Sequence, residues 1–233
     1  MKNVAVGFDF DRTLGTDNHL ERRAFEVLAE HLGAPLDLTQ AATHEAIEQL
    51  LVPFRLAQES MAGMMVRFAQ TFLQNAPPGD RDGEQLAGRY RQICYNLVTK
   101  MVVPIPGAIE CIRALVAAEI PVAILTNGWS ELQERKIEHA LGAFPGPVLV
   151  SDLVGAYKPS AEAFRQLEEA LGVEPAELWY VGDNPVADID GARAYGLRAV
   201  WLNRDGETYP AELTEPTAQI EHLDALPALV RGA

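Results

Sequence analysis

The sequence predicts an α/β protein: a doubly wound parallel sheet with helices on both faces, and a four-helix segment inserted after the first strand. Three observations lead there. Short apolar runs recur along the chain, as strands buried on both faces require. Helical periodicity fills intervals between the later runs. Between about residues 15 and 99 there is no strand pattern, only helical stripes.

The first strand is Val4-Ala5-Val6-Gly7-Phe8-Asp9, an apolar run ending in an acid. The helical stripes follow. Leu20, Ala24, Leu28 and Leu32 form one; Ile47, Leu50, Leu51 and Phe54 a second. Met61, Met64, Met65, Phe68 and Phe72 form a third, and Leu86, Tyr90, Ile93 and Leu97 a fourth. Pro53 is expected to bend or end the second helix, and Pro77-Pro78-Gly79-Asp80 to separate the last two. The methionine stripe is expected to pack rather than to line a pocket. Further strands are expected at 121–126, 148–151, 178–182 and 198–202, with helices at 108–118 and 161–171. The chain thus divides into an α/β core, residues 1–14 and 100–233, and a helical domain, residues 15–99.

A chain of 233 residues with 48% hydrophobic and 22% charged residues can build a sizeable core without crosslinks. Cys94 and Cys111 have neither CxxC spacing nor a histidine cluster beside them, so two buried, reduced thiols are expected. The five histidines show no metal-ligand spacing. The N-terminus lacks a signal-peptide pattern, and the most apolar stretch, residues 114–126, is interrupted by Glu119 and Pro121. A cytoplasmic enzyme with no membrane partner is the expectation. The formal net charge is −14, with no basic stripe, which argues against a nucleic-acid partner. The same charge repels anionic substrates, so a phosphate site would need a local metal and one or two placed cations.

The chemistry-bearing residues cluster at the ends of the expected strands. Strand one ends in Asp9-Phe10-Asp11-Arg12-Thr13-Leu14, two carboxylates that need a cation or a shared proton. Strand two ends in Thr126-Asn127-Gly128, a hydroxyl and backbone amides. Tyr157-Lys158-Pro159-Ser160 places a cation before a helix, and strand four ends in Gly182-Asp183-Asn184-Pro185-Val186-Ala187-Asp188. Singly each is ordinary: an acidic loop, a helix cap, a surface lysine, an Asp-Pro turn. At the carboxyl edge of one parallel sheet they would face each other, making a site for a hard cation and a phosphoryl group.

These four motifs, in this order, resemble those of the haloacid dehalogenase (HAD)-like hydrolases, and the helical segment falls where that superfamily carries a C1-type cap. The resemblance implies a Rossmann-like core and a Mg²⁺-dependent phosphatase acting on a small phosphorylated metabolite. It implies Asp9 as nucleophile, forming an aspartyl-phosphate. Asp11 would protonate the leaving oxygen and then take a proton from water; it must first be protonated, which neighbouring acids favour. Thr126, Asn127 and Lys158 would bind the phosphoryl oxygens. Asp9, the backbone carbonyl of Asp11, and Asp183 would bind the metal, and Asp188 would orient them without touching it.

The superfamily's dehalogenases lack the second acid, so Asp11 favours ester hydrolysis. Thr126-Asn127-Gly128-Trp129 with Gln133 and Lys136 leans toward nucleotidases and sugar-phosphate phosphatases. The alternatives are a phosphosugar mutase and a non-catalytic phosphate-binding regulatory module. In the helical domain, Asp17, His19, Arg22, Arg23 and Arg55 are polar candidates near the site, although each reads first as a plain solvent-facing helix residue. Removing the charge of Arg22, Arg23 or Arg55 is expected to change substrate ranking if that domain selects the leaving group.

Overall fold

The computed structural model of the chain describes residues 4–16, 19–56, 58–74 and 81–232. Asp17 and the Pro77–Pro78–Gly79–Asp80 break lie outside them. Every residue of strands β1 (Ala5–Phe8), β2 (Val122–Thr126) and β4 (Leu178–Gly182) is buried, which is why these segments read as unbroken apolar runs. With β3 (Val148–Val150), β5 (Arg198–Leu202) and β6 (Ala218–Ile220) they form one sheet, order β3-β2-β1-β4-β5-β6. All its pairings are parallel. From β1 the chain steps outward to β2 and β3, then returns to β1's other side at β4. That reversal leaves a crevice at the carboxyl ends of β1 and β4.

The chain divides into two units, Met1–Asp17 with Val102–Ala233, and Asn18–Met101. The second is helical among its described residues: α1 (Leu20–His31), α2 (Ala41–Arg55), α3 (Met61–Phe72) and α4 (Gly83–Met101). Its core holds Met61, Met64 and Met65, so the methionine stripe packs. Phe25 meets the rings of Phe68 and Tyr90 at 5.0 and 4.7 Å. Pro53 does not break α2, because the carbonyl it orphans is satisfied from outside: Arg67 Nη1 donates to Gln49 O at 3.1 Å. The expected stripe on α4 is shifted. Leu86, Tyr90, Cys94 and Val98 are buried, while Ile93 and Leu97 border a cavity of about 570 Å³ beside Arg23, His31 and Lys100. Arg22 pairs with Glu48 at 2.6 Å and Arg55 with Glu21 at 2.6 Å, tying α1 to α2, so they are not plain solvent-facing residues.

In the α/β unit, α5 (Ala108–Ala117), α6 (Ser130–Leu141), α7 (Ser151–Val154), α8 (Ala161–Leu171), α9 (Gly191–Tyr195) and α10 (Leu226–Gly232) follow. Ser160 caps α8 through Ala163 N–H. Neither cysteine is in a disulfide and both are buried, and burial with Asp224 nearby pushes the Cys111 thiol up to about 12. No helix among the described residues is long and apolar enough to cross a membrane.

Candidate active site

β1 delivers Asp9 to the crevice, its N–H donating to Val181 O at 2.9 Å and so extending the ladder with β4. A tight turn follows. The N–H groups of Leu14 and Gly15 both donate to Phe10 O at 2.9 Å, and Arg12 N–H donates to Gly15 O at 2.7 Å. Arg12 stands at φ 64°, a left-handed conformation unfavourable for a side-chain-bearing residue.

Lys158 is buried and its ammonium donates three times: to Asp9 Oδ1 at 2.6 Å, Asp188 Oδ1 at 2.7 Å and the Tyr180 hydroxyl at 2.9 Å. Tyr180 in turn donates to Leu125 O at 2.7 Å, anchoring the lysine to β2 and β4 together. Asn127 fixes the lysine's backbone: its Nδ2 donates to Lys158 O and its Oδ1 accepts from Lys158 N–H, both at 2.9 Å. The Asn127 side chain, expected to bind substrate, is therefore committed to the lysine loop.

Asp9, Asp183 and Asp188 present carboxylate oxygens within 4.8 Å of one another. Burial raises Asp9 to about 7; Lys158 opposes the shift, and Asp188 and Asp11 add to it. Burial and then the Asp9 charge raise Asp183 to about 6, against the pull of Arg12. Burial also raises Asp188. Asp188's other oxygen accepts from Asn184 N–H at 3.0 Å, so both its oxygens carry partners. Arg12 Nε donates to Asp183 Oδ2 at 2.7 Å, and Nη2 to Asp205 at 2.9 Å. Crowded oxygen donors whose charged forms are disfavoured suit a hard divalent cation.

Gly182 makes this possible, since a Cβ there would lie 2.3 Å from Asp188 Cγ. Gly182→Ala is expected to displace Asp188 from Lys158, costing about 1–3 kcal/mol of stability and ~10-fold in magnesium affinity. Thermal unfolding and a magnesium titration check it; wild-type values in both would show that Asp188 adjusts freely.

Asp11 turns to α6. Gln133 Nε2 donates to Asp11 Oδ2 at 2.9 Å and to Thr126 Oγ1 at 2.7 Å, and Lys136 Nζ pairs with Asp11 Oδ1. Asp9 does lie near enough to feel the Asp11 charge, as expected, but the Asp11 oxygens themselves bond to a lysine and an amide, leaving its backbone carbonyl as the donor it could offer a metal. From the sequence, Gln133 and Lys136 serve only as marks of a phosphatase branch and have no place in the site. Tyr180 is missed altogether, its one signal being a polar tip within a buried strand.

Residues 4–196 match the family model described as haloacid dehalogenase-like hydrolase. Phosphoserine phosphatase of Thermus thermophilus is 45% identical over 86 residues, 36% of this chain and 34% of that protein. Pyrimidine 5'-nucleotidase YjjG of Escherichia coli is 29% identical over 145 residues, 61% of this chain and 64% of that protein. The chain thus matches between 34% and 64% of the length of these curated relatives. A 2-haloacid dehalogenase from Pseudomonas syringae has a solved structure of similar fold, TM-score 0.74 at 25% identity over 99% of both chains.

Proposed function

The chain belongs to the haloacid dehalogenase-like hydrolases, and from that premise we propose that it is a cytoplasmic, Mg²⁺-dependent phosphatase of a small phosphate monoester. The observation that carries the reading is Asp11, held by α6 beside the strand end that bears Asp9. An alkoxide leaves poorly without a proton, whereas a halide needs none, so a second acid held here serves an ester. Similarity to a phosphoserine phosphatase and a pyrimidine nucleotidase supports it, and a nucleotide or sugar phosphate is slightly favoured.

Asp9 attacks phosphorus, forming the aspartyl-phosphate while the P–O bond to the leaving group breaks and Asp11 supplies that oxygen with its proton. Asp11, now a carboxylate, takes a proton from water, whose oxygen attacks phosphorus and frees Asp9 and phosphate. Thr126 holds a phosphoryl oxygen, Lys158 exchanges its bond to Asp9 for one to a phosphoryl oxygen as substrate enters, and Asn127 fixes the lysine loop. Asp9, Asp183 and the Asp11 carbonyl would hold magnesium, which supplies positive charge for the phosphoryl oxygens. Asp188 orients Lys158 instead of binding the ion.

Phosphate release from an aryl phosphate and from a panel of phosphorylated metabolites is expected to need Mg²⁺ and to stop in excess chelator. Calcium should bind yet support little turnover. Because Asp9 at about 7 and Asp183 at about 6 must both ionise to hold a cation, magnesium affinity should rise about tenfold or more between pH 6 and 8. Halide release from a short 2-haloacid without phosphate release would replace this reading with a dehalogenase. Isomer formation from a sugar phosphate would replace it with a mutase.

A further inference from the structure

Each of the two aspartates that begin the first motif has its own buried lysine. Lys158 serves Asp9, and the proposed mechanism absorbs it. Lys136 serves Asp11, and the mechanism does not.

Lys136 is 3% exposed, near the middle of α6. A buried ammonium on a helix is costly unless paired, and a leucine or methionine would fill a purely structural position more cheaply. Its charge goes to Asp11 Oδ1, and it lies over the ring of Phe10, 5.8 Å from the centroid. Phe10 is itself buried between the two aspartates, so Lys136 touches the motif at two consecutive residues.

Gln133, one turn earlier on the same face of α6, is equally buried. Its single Nε2 reaches three oxygens: Asp11 Oδ2 at 2.9 Å, Thr126 Oγ1 at 2.7 Å and Asn127 O at 3.2 Å. Both oxygens of Asp11 are thereby held from α6, in one orientation, and the Thr126 hydroxyl is tied to the same amide. A carboxyl group at a motif's exposed side would otherwise sample several rotamers.

We propose that Gln133 and Lys136 are positioning residues that set the orientation of Asp11 for proton transfer to the leaving oxygen and, through Thr126, register that transfer with the phosphoryl group. The inference rests on the phosphatase reading. It separates two duties within one site: Lys158 acts on every substrate alike through the phosphoryl group, whereas the α6 pair acts only as strongly as the leaving group needs a proton. A nitrophenolate needs little help and an alkoxide much.

The test is kcat/KM for wild type, Lys136→Met, Gln133→Leu and Asp11→Asn on a series of phosphate monoesters from nitrophenyl through phenyl to alkyl. Thermal unfolding and affinity for inorganic phosphate are measured on each. Lys136→Met and Gln133→Leu should cost under about 5-fold on the nitrophenyl ester and ~30–100-fold on the alkyl ester, within the range of one general acid. Asp11→Asn should steepen the dependence at least as much, and adding Lys136→Met to it should steepen it no further. Phosphate affinity should stay within about threefold of wild type.

A uniform loss across the series, an unchanged profile, or additive steepening in the double variant overturns the inference while leaving the phosphatase reading intact. If one variant fails to fold, the other carries the same test; failure of both makes the pair structural and overturns it. Absence of phosphate release by wild type from every ester marks the failure of the phosphatase reading itself.

Discussion

Asp9→Asn is expected to lose at least ~10³-fold in kcat while unfolding at a higher temperature than wild type. An amide cannot form the acyl-phosphate, yet it still accepts the bond from Lys158. The stability gain follows from the raised carboxyl. Asp9 titrates at about 7 when folded, above its ordinary 3.8, so the native state binds more protons than the unfolded chain between those values. Stability therefore falls as pH rises through that window, and the ionised group is a burden above it. Removing the charge should add on the order of 2 kcal/mol at pH 8 without metal, or about 5 °C in Tm, and nothing near pH 4. Melting curves at pH 4.5 and 8 with chelator, beside a phosphate-release assay, check both halves. A variant that keeps a few per cent of activity requires another nucleophile. One that melts lower at pH 8 shows that the Asp9 charge contributes more to holding Lys158 than burial takes away.

Lys158→Met is expected to fail in the opposite sense, losing stability and activity together. The ammonium stands between Asp9 and Asp188 with 2.6 and 2.7 Å contacts, and all three groups are buried. Without it two like charges face each other, so breaking the cluster should cost about 3–5 kcal/mol at pH 8. At pH 5.5 the loss should shrink, since Asp9 and Asp188, already raised, can take up protons instead. Magnesium should restore part of it by replacing the missing positive charge. Turnover should fall ~10²–10³-fold on every phosphate ester by a similar factor, because all share the phosphoryl group. Urea unfolding at the two pH values and the ester series measure this. Equal destabilisation at both pH values would mean that the lysine's aliphatic packing, and not its charge, holds the site.

Parallel strands buried on both faces must be apolar along their whole length, so β1, β2 and β4 are visible without any partner. The edge strand β6 is not, because Ala-Gln-Ile is three residues with a polar centre and carries no period. On α4 the helix is evident but its buried edge is not: Tyr90 against Phe25 turns Cys94 and Val98 inward, where the pattern of larger apolar residues points to Ile93 and Leu97. Periodicity reports that a helix has an apolar face, whereas the neighbour decides which edge of that face is covered.

The acids at strand ends were legible because an acid closing an apolar run has nowhere to sit but the carboxyl edge of the sheet. The order of Asp9, Thr126, Lys158 and Asp183 along the chain therefore determined both the family resemblance and the crevice they share. The partners of those residues could not be read the same way. Tyr180 lies within an apolar run and reads as core, although its hydroxyl bridges Lys158 and Leu125. Gln133 and Lys136 lie on a helix with a polar face, and nothing in their spacing says that they turn inward. Asn127 reads as a turn residue, and only the fold brings its amide to the Lys158 main chain, 31 positions away. Local sequence constrains what a residue can be by its own neighbours, and so determines elements and their ends. Which buried charge pairs with which depends on distances between segments far apart in the chain, and those exist only once the sheet has brought its edges together.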